Sequence, residues 1–138
     1  YGMWMIHDKN TDATVGMAGG WFPAAWPERE IAWIIWPDEA GHGYALEATH
    51  TVRKYFYNEL NWDGAVSFLD PKNLDSIRLA ERLGAKRDKT AGTVDGNDVV
   101  YRHPSPAELK NSQISDGIAM EISHYADPLF KPKGWALD

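Results

Sequence analysis

The chain has 138 residues, 43% of them hydrophobic and 12% aromatic, enough for one domain with a substantial core. The formal net charge is −6 and no basic stripe is evident, which argues against a nucleic-acid binder. Cysteine is absent, so disulfides, thiolate nucleophiles and cysteine metal sites within this chain are excluded, and no apolar run reaches membrane-span length.

Taken in order, "YGMWMIH" alternates large apolar residues and predicts a strand, "DKNTD" a turn, and "ATVGMAGGWF" a second strand weakened by glycines. "PAAWPER" is a proline-containing loop. "EIAWIIWP" is a third, strongly apolar strand stopped by Pro37. Short connections make these three an antiparallel meander. A helix follows from about Tyr44 to Glu59, with Ala45, Ala48, Val52, Tyr55, Phe56 and Leu60 near helical spacing. "GAVSFLD" is a short buried strand. "NLDSIRLAERLG" is a second helix, with Asn73 as N-cap and Gly84 where a left-handed residue closes the C-terminus. "KRDKTAGTV" and "DVVYRH" flank Asp95-Gly96, a hairpin signal. The order β-β-β-α-β-α-β-β defines a mixed α/β domain over residues 1–104. Residues 105–138 form a C-terminal extension. In it "SPAELKNSQ" fits a short helix capped by Ser105 with Pro106 at its first position, "GIAMEISHY" fits a strand, and "ADPLFKPKGWALD" an irregular tail.

The stretch "WPDEAGHGYALEATH" places two glycines where a buried strand hands over to a helix. A helix N-terminus carries unpaired N–H groups and partial positive charge, and glycine lets an anion approach its backbone. That is the physics of a phosphate cradle, although glycines in such a loop also serve a plain turn.

"AGHGYALEA" resembles the acetyl-coenzyme A loop of the GCN5-related N-acetyltransferases (GNAT), Gln/Arg-x-x-Gly-x-Gly/Ala, with Gly43 and Ala45 at the small positions. "NLDSIRLAERLGA" resembles the later helix of the RimJ/RimL type. The element order matches from the family's second strand onward, and the resemblance covers about Tyr1 to Pro104. It implies a largely antiparallel sheet with flanking helices, lacking the family's first strand and first two helices. Because the chain starts at Tyr1 in mid-strand, an N-terminally incomplete or processed chain is expected. The departures are Ala40 at the Gln/Arg position, Asp38 and Glu39 beside the loop, Ala85 for the usual phenylalanine, and Ala80 where many relatives carry a tyrosine general acid.

The resemblance implies acetyl-coenzyme A as donor, no metal, and a primary amine as acceptor. Direct attack is the natural route, because no cysteine can carry the acetyl group. Glu30 is the candidate general base, against the reading of an exposed charge before a strand. Ser76 is the candidate partner of the leaving thiolate, against an ordinary first-turn serine. The main chain of Ile34, Ile35 and Trp36 matches the segment that pairs with the pantetheine, the side chains being core. Gly41, His42, Gly43, Tyr44 and Ala45 form the pyrophosphate loop, and Asn73 bonds the pantetheine, caps the helix, or both. Trp21 and Trp26 are candidates for the acceptor pocket. Glu47 and His50 read as a surface pair, since no second Glu-x-x-His accompanies them. A cytoplasmic setting and no membrane or nucleic-acid partner are expected. The bare edge of the first strand makes a homodimer a further expectation. One rival is a non-catalytic acyl-coenzyme A-binding domain of the same fold, favoured if Glu30 lies far from the thioester. Another is an unrelated nucleotide-binding α/β module, disfavoured by the missing Gly-x-Gly-x-x-Gly and the antiparallel start.

Overall fold

The computed structural model describes residues 2–36 and 43–126, and the side chains up to Ser123. Strands β1 (Gly2–His7), β2 (Thr14–Trp21) and β3 (Glu30–Ile35) form the expected antiparallel meander. Helix α1 (Tyr44–Asn58) leads to β4 (Val66–Leu69), α2 (Leu74–Arg82), β5 (Lys86–Arg87) and β6 (Val99–Arg102), and α3 (Pro106–Lys110) and α4 (Ile114–Ala126) follow. The strands make one six-stranded sheet in the order β1-β2-β3-β4-β6-β5. All pairs are antiparallel except β3 with β4, which run parallel and meet at a single bridge, Glu30 opposite Val66. Beyond that bridge the two strands splay.

Helix α1 packs on one face of β2 and β3, where Ala18, Ile31, Val52, Phe56 and Trp62 form a core cluster. Gly20 makes the close approach possible, since a Cβ there would stand 2.7 Å from the Phe56 ring and 3.0 Å from Trp62. Gly20→Ala is therefore expected to cost about 1–3 kcal/mol through overpacking, read as a lower urea midpoint at unchanged slope.

Several elements depart from expectation. The buried face of α1 is Leu46, Thr49, His50, Val52, Arg53, Phe56 and Tyr57, while Tyr55 and Leu60 are exposed. The face is broader because α2 and α4 cover its second flank: Leu46 packs with Leu79, Leu83 and Ile118. His50 is consequently buried, not half of a surface pair, and only Glu47 of the two is exposed. "GIAMEISHY" is part of α4, not a strand. Ile114, Ile118 and Ile122 recur every fourth residue and all meet the α1–α2 cluster, a helical period masked by Gly117. The strand foreseen from Lys86 stops at Arg87, because Asp88 accepts the N–H and hydroxyl of Thr90 and turns the chain away. Gly96 does adopt φ 86, inside a longer loop closed by Asp95 and Asp98.

Other local readings match. The Asn73 side chain accepts the Ser76 N–H at 3.1 Å. Gly84 sits at φ 85, with Gly84 N–H bonded to Glu81 O and Ala85 N–H to Ala80 O, a Schellman closure. Ser105 and Glu108 make a reciprocal capping box around Pro106.

Candidate active site

Glu30 opens β3 at the one point where β3 and β4 still pair. It is 7% exposed, not a solvated charge. Its Oε1 accepts from the Trp21 indole at 2.9 Å and the Trp26 indole at 2.8 Å, and its Oε2 accepts the Phe68 N–H at 3.2 Å. Trp21 reaches it as the residue opposite on β2, and Trp26 from the loop before β3. The two indoles meet edge to face with centroids 5.9 Å apart. A carboxylate offers about four lone-pair positions, so Oε2 retains capacity for a water or an ammonium.

Glu30 and Trp26 line a cavity of about 650 Å³, together with Phe68, Asp70, Asp95 and Asp98. Arg102 fixes the loop that carries Trp26. Its guanidinium donates to both Glu28 oxygens at 2.8 and 3.0 Å, and through Nε to Asp88 at 3.0 Å. Hydrogen bonds from Thr90, then Arg102, hold the Asp88 carboxyl down at about 2. These groups are largely exposed, so their role is to place the loop more than to stabilise the fold.

On the splay itself, the Trp36 N–H donates to Val15 O on β2 at 2.9 Å. Peptide groups alternate along a strand, so those of Ile34 also face β2, and those of Trp33 and Ile35 face the gap toward β4. Of the three expected main-chain segments, Ile35 is placed in the gap and Trp33 joins it. The Ile34 side chain is 55% exposed and is not core. Trp33 packs under α1 and α2.

Gly43 is the N-cap of α1 at φ 80, with no side-chain cap, and its carbonyl accepts the Glu47 N–H. The N–H groups of residues 44–46 precede the first bonded helical donor, Glu47 N–H, and point out of the helix end, as an anion cradle requires. The Tyr44 hydroxyl donates to Asp8, so only its backbone faces that end. Gly41 and His42 lie outside the described residues, as do Asp38, Glu39 and Ala40. Asn73 and Ser76 stand at the start of α2, outside the lining of the Glu30 cavity. The Asn73 carbonyl is committed to the cap; Asn73→Ala should cost about 1 kcal/mol, measurable by thermal melting without ligand.

The cavity residues Phe68, Asp70, Asp95 and Asp98 escape a reading of the sequence. Asp70-Pro71 closing a buried strand was the one available sign. Among the described residues no group of three or more His, Asp or Glu is arranged to hold a metal ion, and no helix is long and apolar enough to cross a membrane.

The model of the acetyltransferase (GNAT) domain matches residues 1–86. The chain is 30% identical over 110 residues to the uncharacterized protein YkkB of Bacillus subtilis (strain 168), covering 75% of this chain and 61% of that protein. It is 30% identical over 59 residues to the uncharacterized N-acetyltransferase YnaD of the same organism, covering 43% of this chain and 35% of that one. The crystal structure of an acetyltransferase from Agrobacterium tumefaciens superposes with a TM-score of 0.71 at 34% identity, covering 75% of this chain and 61% of the other. The chain thus spans about three-fifths or less of the length of these relatives.

Proposed function

The chain belongs to the GNAT acetyltransferase family, and from that membership we propose that it moves the acetyl group of acetyl-coenzyme A onto a primary amine by direct attack. The observation that carries this is the β3–β4 splay with a buried carboxylate at its root. The thioester arm enters the gap, where the peptide groups of Trp33 and Ile35 bond it. The pyrophosphate meets the α1 N-terminus at Gly43 to Ala45. The amine comes from the cavity side, past Trp26 and Glu30.

An alkyl ammonium must lose a proton before it attacks. Glu30 Oε2 accepts that proton through water. The new N–C bond forms as the C–S bond breaks, and the thiolate takes a proton from Ser76 or solvent. The carboxylates of Asp70, Asp95 and Asp98 on the cavity wall suit an acceptor that arrives as a cation. Asn73 and Ser76 at the start of α2 support the RimJ/RimL-type assignment.

One observation favours the rival, a non-catalytic acyl-coenzyme A-binding domain. Both Glu30 oxygens are already engaged by three donors, as suits a carboxylate that only braces the loop. A thiol-release assay with acetyl-coenzyme A and a panel of monoamines, polyamines and peptide N-termini separates the readings. Amine-dependent release supports catalysis. Binding of acetyl-coenzyme A without release for any amine supports the rival.

A further inference from the structure

A regular parallel ladder would follow the Glu30–Val66 bridge with another rung, in which Phe68 N–H donates to Ile31 O. No such rung follows, since Glu30–Val66 is the single bridge between the two strands. Phe68 N–H goes to the Glu30 carboxylate at 3.2 Å, and Ile31 O accepts instead from the Ser67 hydroxyl at 2.5 Å. Two side chains thus take the partners of the missing rung, and the strands separate at that point.

The Ser67 hydroxyl does not act alone. Ser67 Oγ lies 2.8 Å from His103 Nε2, and His103 Nδ1 lies 3.1 Å from Arg53 Nη1. Arg53 Nη1 also donates to Leu83 O at 2.7 Å. A guanidinium only donates, so Nδ1 must be the acceptor and Nε2 must carry the proton. His103 then donates to Ser67 Oγ, which leaves the hydroxyl proton one destination, Ile31 O. The direction of every link is set by the arginine. All three side chains are buried, spanning α1, β4 and the residue after β6. Burial, then Arg53, pushes the imidazole down to about 3, so it keeps the neutral form that this order needs.

We propose that Arg53, His103 and Ser67 form a buried strut that stops the β3–β4 ladder and holds the splay open, making Ser67 a positioning residue for acyl-coenzyme A. The effect on the ligand rests on the acetyl-coenzyme A reading above; the effect on the strands does not. Without the hydroxyl, Ile31 O is a buried acceptor in need of a donor, and the Phe68 N–H is the nearest one a parallel ladder offers. The rung then closes, the gap narrows, and Glu30 loses its Phe68 contact.

The test is Ser67→Ala, with Ser67→Thr as the variant that keeps the hydroxyl. Tyr57→Phe serves as a control, because it removes another buried hydrogen bond beside the strut, from Tyr57 to Pro104 O, while leaving the Ser67 hydroxyl on Ile31 O. Crystal structures and amide exchange at Phe68 report the rung, and calorimetry with acetyl-coenzyme A reports the gap. Ser67→Ala should pair Phe68 N–H with Ile31 O and weaken acetyl-coenzyme A binding about tenfold or more. Ser67→Thr and Tyr57→Phe should bind as wild type does. If Ser67→Ala does not fold, Ser67→Cys, a weak donor, is read in the same way. A folded Ser67→Ala protein with the splay unchanged and affinity within about twofold of wild type would overturn the proposal. If wild type itself does not bind acetyl-coenzyme A, the functional reading fails, and the strut is still judged by whether the rung closes.

Discussion

Glu30→Gln is expected to lower turnover by about 10²–10⁴-fold at neutral pH, the usual cost of a lost general base. Affinity for acetyl-coenzyme A should change little, because the contacts proposed for the thioester are main-chain groups of Trp33 and Ile35, farther along β3. The substitution is not innocent structurally. If the amide oxygen keeps both indole donors, the amide nitrogen faces the Phe68 N–H, donor against donor. Leaving that N–H unpaired costs about 1–3 kcal/mol, so turnover must be compared under conditions where both proteins are fully folded. Recovery at high pH separates chemistry from structure, since an alkyl ammonium with a pKa near ~10.4 then supplies its own free amine. A folded variant with near-normal turnover at neutral pH would leave Glu30 as a brace for Trp21 and Trp26 and put the base elsewhere.

Acid is the second lever. Burial, then Arg53 and Lys54, pushes His50 down to about 4, and burial, then Arg53, pushes His103 down to about 3. Both folded values lie below the unfolded 6.5, so the unfolded chain binds these protons first. Their contribution is therefore whole above pH 6.5. It is lost as pH falls, down to about 4 for His50 and about 3 for His103. At about pH 5 each neutral imidazole has forfeited about 2 kcal/mol, together a large share of a typical domain's stability. Asp88 acts in the same sense, but only below its unfolded value of 3.8, so the window from pH 6.5 to 5 isolates the histidines. Urea unfolding at pH 7.5 and pH 5 should differ by about 4 kcal/mol. In His103→Gln the difference should shrink by about 2 kcal/mol. Equal stability at the two pH values would show that the histidines are solvated.

Much of this was legible in the residues. The meander, both principal helices, the Asn73 cap and the Gly84 closure follow from short-range rules of period and capping, and the GNAT resemblance rests on two short motifs in register. The Glu30 position was legible, but its burial was not. Nothing local says that Trp21, nine residues upstream, and Trp26 close over it. His50 on a helix reads as a surface group until α2 and α4 are seen covering that flank. The strut needs Arg53, Ser67 and His103 brought together from three separate elements, which no spacing encodes. Helix α4 was legible in retrospect through Ile114, Ile118 and Ile122; a glycine and β-branched residues pulled the reading toward a strand.

The splay and the α1 N-terminus are proposed to hold acetyl-coenzyme A, and titration calorimetry of wild type and Gly43→Asp reads that binding. Gly43 sits at φ 80, and aspartate there brings both a side chain and a negative charge to the helix end. The prediction is saturable binding to wild type that is lost or greatly weakened in Gly43→Asp, with far-UV circular dichroism retained. Equal affinity in the two folded proteins would contradict it.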